Sequence, residues 1–171
     1  MTLEAPDPKY LKPITSERYI AVHVRPRSIG FVVMENAIII DSGTRFCDQT
    51  QFDDCLGNRF DRLLHLYKPF SIIVKGARSL SVDARKRRVF AAIRHGALGQ
   101  SIALISVKPA QIQKYFLRYD AKTKYEIAET IGRRMPELAW KLPRRRKPWE
   151  SEHYRMSIFD AAAIAMAYLE L

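Results

Sequence analysis

The chain has 171 residues, with 29 Lys and Arg against 18 Asp and Glu, for a formal net charge of +11. That length fits one domain with a core that needs neither a disulfide nor a structural metal, and no apolar stretch is long enough to be a membrane span. So basic a chain calls for a polyanionic partner, nucleic acid ahead of a lipid surface, because no long amphipathic segment stands apart from the folded pattern. Cys47 and Cys55 lack the neighbouring Cys or His of a zinc site, and the opening MTLEAPDPKYLKP lacks the apolar core of a signal peptide. Together they predict a reduced, cytoplasmic protein with no cofactor.

Residues 1–17 are polar and Pro-rich and read as a flexible arm, leaving 18–171 as the domain. From Tyr19 the pattern alternates, with Ile20, Val22 and Val24 on one face and Ala21, His23 and Arg25 on the other. Pro26, Ser28 and Gly30 mark a turn, Phe31 to Met34 a second strand, Glu35 and Asn36 another turn, and Ala37 to Ile40 a third strand. This is an antiparallel meander, which Asp41-Ser42-Gly43 is expected to end. Residues 50–67 follow a helical period through Phe52, Leu56, Phe60, Leu63, Leu64 and Tyr67, a stripe that packs on its own sheet or on a second copy. Pro69 stops that helix, and 70–74 is a short apolar strand ending at Lys75-Gly76.

A second helix over 82–98 turns Val82, Val89, Ile93 and Ala97 inward and carries the basic cluster Arg85, Lys86, Arg87 and Arg88. Residues 101–107 form a strand of the parallel type, and Pro109 opens a helix or turn that runs to Leu117. Residues 123–135 are helical, after which Pro136, Pro143 and Pro148 break the chain around Arg144, Arg145, Arg146 and Lys147. Ser157 is placed to cap a final helix, alanine-rich and uncharged between Asp160 and Glu170, that should lie flat on the sheet. An α/β fold, a mixed five-stranded sheet flanked by helices on right-handed crossovers, satisfies this order, as in the ribonuclease H-like architecture.

Four stretches carry a family resemblance. YIAVHV and GFVVME flank a turn in which Gly30 follows His23 by seven residues; PFSIIVK ends in Lys75; ISVKPAQIQKYF holds Pro109 and Gln111; FDAAAIAMAYLE holds Asp160 and Ala163. In this order they resemble the RuvC-like Holliday-junction resolvase family over most of residues 19–169. The resemblance implies a ribonuclease H-like fold, a dimer, and hydrolysis of branched DNA by two divalent ions held on carboxylates. At the matching positions stand His23, Lys75, Asp160 and Ala163, so only one of the family's four carboxylates remains. An ammonium group repels Mg²⁺ and a methyl group offers no ligand atom. The expectation is a nuclease fold with no bound metal that binds nucleic acid, DNA first, without cutting it. Two other classes stay open: a scaffold for an acidic protein partner, and a nuclease rebuilt around His23 with Asp41 or Asp160 and a softer metal.

Each of these residues has a plainer role to set beside that one. Asp160 either pairs with Lys75 or completes a capping box with Ser157. His23 is a partly buried histidine bonded to a neighbour, or a ligand. Lys75 either reaches solvent along its stem or is buried in a pair. For phosphate, His23, Arg25, Arg27 and Lys75 would form a positive rim, with Arg85 to Arg88 and Arg144 to Lys147 the stronger contacts, since the guanidinium fork donates two hydrogen bonds at once. Trp140, Trp149 and Tyr154 either stack on unpaired bases or pack within a loop or core.

Overall fold

A computed structural model describes residues 17–46, 52–76 and 83–171, without the side chains of 52–56. Most of the expected arm, Cys47 and Val82 lie outside the described residues, as do the side chains of Phe52, Cys55 and Leu56. The chain order is β1 (Arg18–Arg25), β2 (Ser28–Glu35), β3 (Ile38–Phe46), α1 (Phe52–Tyr67), β4 (Ser71–Lys75), α2 (Ala84–Gly99), β5 (Ala103–Val107), α3 (Pro109–Leu117), α4 (Lys124–Arg134), α5 (Pro136–Ala139) and α6 (Met156–Leu169). The sheet runs β3-β2-β1-β4-β5, with the meander antiparallel and β4 and β5 parallel to β1.

The alternation in β1 sorts its side chains between two cores. Ile20, Val22 and Val24 join Phe31, Phe60, Leu64, Val89 and Ile93 under α1 and α2. Ala21 joins Val32, Met34, Ile73, Phe116, Ile131 and the buried alanines of α6 on the opposite face. Because α6 has small side chains where it meets the sheet, its backbone lies close to the strands, and Ala161, Ala162 and Ala165 are fully buried. Among the described residues no helix is long and apolar enough to cross a membrane.

Several boundaries differ from the sequence expectation. Only Pro26 and Arg27 turn between β1 and β2, and Ser28 and Gly30 lie inside the strand. Gly30 has no positive φ. What requires glycine there is α6, since a Cβ at Gly30 would fall 2.6 Å from Ser157 Cβ and closer still to the Ser157 carbonyl. The turn after β2 is centred on Asn36 and Ala37, with Asn36 at φ 49°. Asp41-Ser42-Gly43 does not end the meander: β3 continues to Phe46 through a bulge opposite Val33 and Met34. An edge strand tolerates such polar residues, and Asp41 is further held by the Tyr67 hydroxyl, which donates to Oδ2 at 2.6 Å. Pro136 opens the one-turn α5 at a position where its missing N–H costs nothing. At α6 the N-cap is Arg155, and Ser157 lies buried at the second helical position, donating to the Tyr154 carbonyl at 2.7 Å. The expected capping box between Ser157 and Asp160 is therefore absent.

Candidate functional site

Parallel β1 and β4 finish at the same end of the sheet, which sets His23 and Lys75 side by side on the face covered by α6. Asp160 and Ala163, one turn apart on α6, rise beneath them, while Pro109, Ile112 and Gln113 of α3 and Lys124 and Ile127 of α4 complete the wall. The result is a cleft of about 370 Å³ whose lining includes all four positions picked out by the sequence. Its floor is apolar where Ala163 meets Ile112, Ile127 and Ile164, and its charge comes from Lys75, Lys122, Lys124 and Asp160.

Asp160 does not pair with Lys75. Its Oδ2 lies 2.8 Å from Lys124 Nζ and 3.4 Å from His23 Nε2. Neither contact has the direction of a hydrogen bond, so this buried oxygen is held by the charge of Lys124, with the His23 ring beside it. Lys124 also reaches Glu152 Oε1 at 2.6 Å, and Glu152 Oε2 accepts from Arg25 Nη2 at 2.7 Å. A continuous chain thus runs Arg25, Glu152, Lys124, Asp160, His23. Burial works to raise the Glu152 carboxyl, but Lys124 and Arg25 together hold it below the usual carboxylate range. Lys75 has no carboxylate at ion-pair distance among the described residues, and Lys122 pairs with exposed Asp120 at 3.0 Å.

His23 is a neutral imidazole at physiological pH. Burial pushes its pKa from 6.5 down to about 4, against the pull of Asp160 and with the help of Lys124, Lys75 and Arg25. A folded-state value below the unfolded one means that the unfolded chain binds the proton better. The resulting stability is complete above pH 6.5 and is lost as pH falls toward 4. Between these limits His23 is expected to withdraw on the order of 3 kcal/mol. Urea unfolding of the parent and His23→Gln at pH 7.5 and at pH 5 reads this directly. Equal pH dependence in both would place the histidine in water.

Two residues that complete the network, Lys124 and Glu152, escaped the sequence reading. Lys124 did leave a signal, since it opens α4 directly after the Thr123 cap, where the helix dipole disfavours a cation. Glu152 left none, because its partners come from distant elements. Arg25, expected on a phosphate rim, is bonded to Glu152 and links β1 to the loop before α6. Arg27 is exposed in the turn beyond it. Arg85, Arg87 and Arg88 are exposed and Lys86 half-buried on the first turns of α2, across the sheet from α6. As a crossover from β4 to β5, α2 runs back along the sheet, so its first turn sits at the cleft end. Arg144 to Lys147 are exposed in the loop after α5.

Does the cleft suit a divalent ion? Mg²⁺ asks for several anionic oxygens, whereas this site offers one carboxylate already bridged by an ammonium. Among the described residues no three His, Cys, Asp or Glu side chains converge as a metal site requires. Asp41, the other acid considered for a rebuilt site, is engaged with Tyr67 on β3. The residues present do not fit the ions that the fold family uses.

Sheet order, crossovers and helix placement define a ribonuclease H-like fold. Holliday-junction resolvases are among the solved structures that share it. RuvC of Thermus thermophilus in complex with a Holliday junction substrate is 14% identical with a TM-score of 0.64, over 88% of this chain and 91% of that one. A second Thermus thermophilus RuvC structure gives 14% and 0.63 over 88% and 92%. The yeast mitochondrial Holliday junction resolvase Ydc2 gives 12% and 0.66 over 90% and 78%. No protein-family model and no curated protein matches the sequence, and at these identities the likeness is one of fold.

Proposed function

We propose that this chain binds nucleic acid, DNA in the first place, and grips its phosphate backbone at the cleft end of the sheet without hydrolysing it. The observation that carries this reading is that Lys75 lines the cleft with no carboxylate at ion-pair distance among the described residues, while Asp160 is already paired with Lys124. Phosphate oxygens suit such a site and hydrated Mg²⁺ does not. Lys75 and Lys122 are the cleft's contacts, and the α2 cluster Arg85 to Arg88 and the run Arg144 to Lys147 extend the positive surface on either side. Arg25 acts by holding Glu152 in place. The resolvase fold and the net charge of +11 support the same partner.

The deciding experiment incubates the purified chain with branched and duplex DNA in Mg²⁺ and in Mn²⁺. Bound but intact DNA is the expected outcome. Cleavage that Asp160→Asn abolishes would establish a rebuilt nuclease instead. Failure to bind either DNA, together with capture of an acidic protein, would favour a scaffold.

A further inference from the structure

We propose that the loop between α5 and α6 is a stacking surface for unpaired bases, so that the preferred ligand carries a single-stranded segment beside the backbone held in the cleft. This rests on the nucleic-acid reading above and adds a ligand class to it. Trp149 and Trp140, 78% and 70% exposed, are the two most exposed large apolar side chains among the described residues. An indole ring left in water forgoes more burial than almost any other side chain, yet the loop is built to keep both rings outside.

Glu150 organises that loop. Its carboxylate accepts from Arg144 at 2.6 Å and from the Lys147 backbone N–H at 2.9 Å, while its carbonyl accepts from Arg146 at 2.9 Å. Trp149 therefore projects from a turn already formed before any ligand arrives. Trp140 is presented similarly, because Lys141 donates to both the carbonyl and the hydroxyl of Ser42 on β3 at 2.7 Å and lies 5.1 Å from the neighbouring indole. Lys147 stands 5.5 Å from the ring of Trp149. Trp149 thus comes with a cation of its own, while the Lys141 ammonium beside Trp140 is committed to Ser42, and a ring beside a cation is the pairing met by a strand that repeats one base and one phosphate per nucleotide. An acidic polypeptide would satisfy the lysines and leave the indoles in water. Glu152 joins this loop to Lys124 of the cleft wall and to Arg25, which ties the loop to the cleft end of the sheet.

The chain contains only two tryptophans, so tryptophan emission excited apart from its 8 tyrosines is a reporter of this loop alone. Titration with oligo(dT) of about 20 nucleotides is expected to quench the emission strongly, and a duplex or poly-glutamate of matched charge much less. Trp149→Ala and Trp140→Ala are each expected to weaken oligo(dT) binding about tenfold, with duplex affinity and urea midpoint unchanged and Trp149→Phe close to the parent. Oligo(dT) affinity unaltered by both alanine variants would overturn the stacking surface while leaving backbone binding intact. Equal quenching by poly-glutamate would assign the surface to an acidic protein. No binding of any DNA by the parent would remove the underlying reading as well.

Discussion

Replacing Gly30 by alanine is expected to abolish cooperative folding or to lower stability by about 3 kcal/mol or more, a large share of the 5–15 kcal/mol typical of a domain. The new methyl group would meet the backbone of Ser157, which cannot rotate aside as the tip of a flexible side chain could. Relief would require α6 to lift from β2. The alanines of α6 then lose their contact with the sheet, and Asp160 is carried away from His23 and Lys124. Gly57→Ala provides the control, since nothing among the described residues lies within 4 Å of its added Cβ, and on helix α1 it should be neutral or stabilising by up to about 1 kcal/mol. Circular dichroism and urea unfolding of both variants provide the measurement. A Gly30→Ala protein as stable as the parent would mean that α6 does not lie so close to the sheet.

Binding is expected to be steep in salt. If about six phosphates are neutralised, affinity for duplex DNA falls about a thousandfold between 50 and 200 mM salt, from a slope near −0.9 per phosphate. The structure separates residues that Arg/Lys content alone would treat alike. Lys75→Gln removes a cation open to the cleft and should flatten the slope by about one phosphate's worth. Arg25→Ala should leave the slope unchanged and lower stability, since its guanidinium serves Glu152. Affinities measured across a salt series for the parent and both variants test this. A slope that changes with Arg25 and not with Lys75 would move the binding face away from the cleft.

Much of the architecture was legible because it is written in periodicity. The alternation from Tyr19 to Arg25 assigned each β1 residue to the correct face, and the small uncharged character of α6 foretold its contact with the sheet. Convergence of His23, Lys75, Asp160 and Ala163 followed from family resemblance, and the cleft brings them together. Partnerships across the fold were not legible. Lys75 and Lys124 are both lysines near Asp160, and only the docking of α4 on α6 decides which of them pairs with it. Gly30 looked like a turn residue because glycine is common in turns, whereas its true constraint comes from Ser157, which no local pattern reveals. The polar stretch at Asp41 signalled a strand end for the same reason, since an edge strand's outer side faces water and can look like a loop.

The run of contacts from Arg25 to His23 has one more consequence. Glu152 and Asp160 are tethered competitors for the Lys124 ammonium, present at the high effective concentration that a covalent chain confers. A single small anion has to displace them unaided and gains one contact in return. A polymer arrives with many charges and can pass Lys124 over, holding on through its neighbours instead. The two carboxylates thus raise the threshold for a lone anion at Lys124, and Lys75 is left as the cation such an anion would meet without competition.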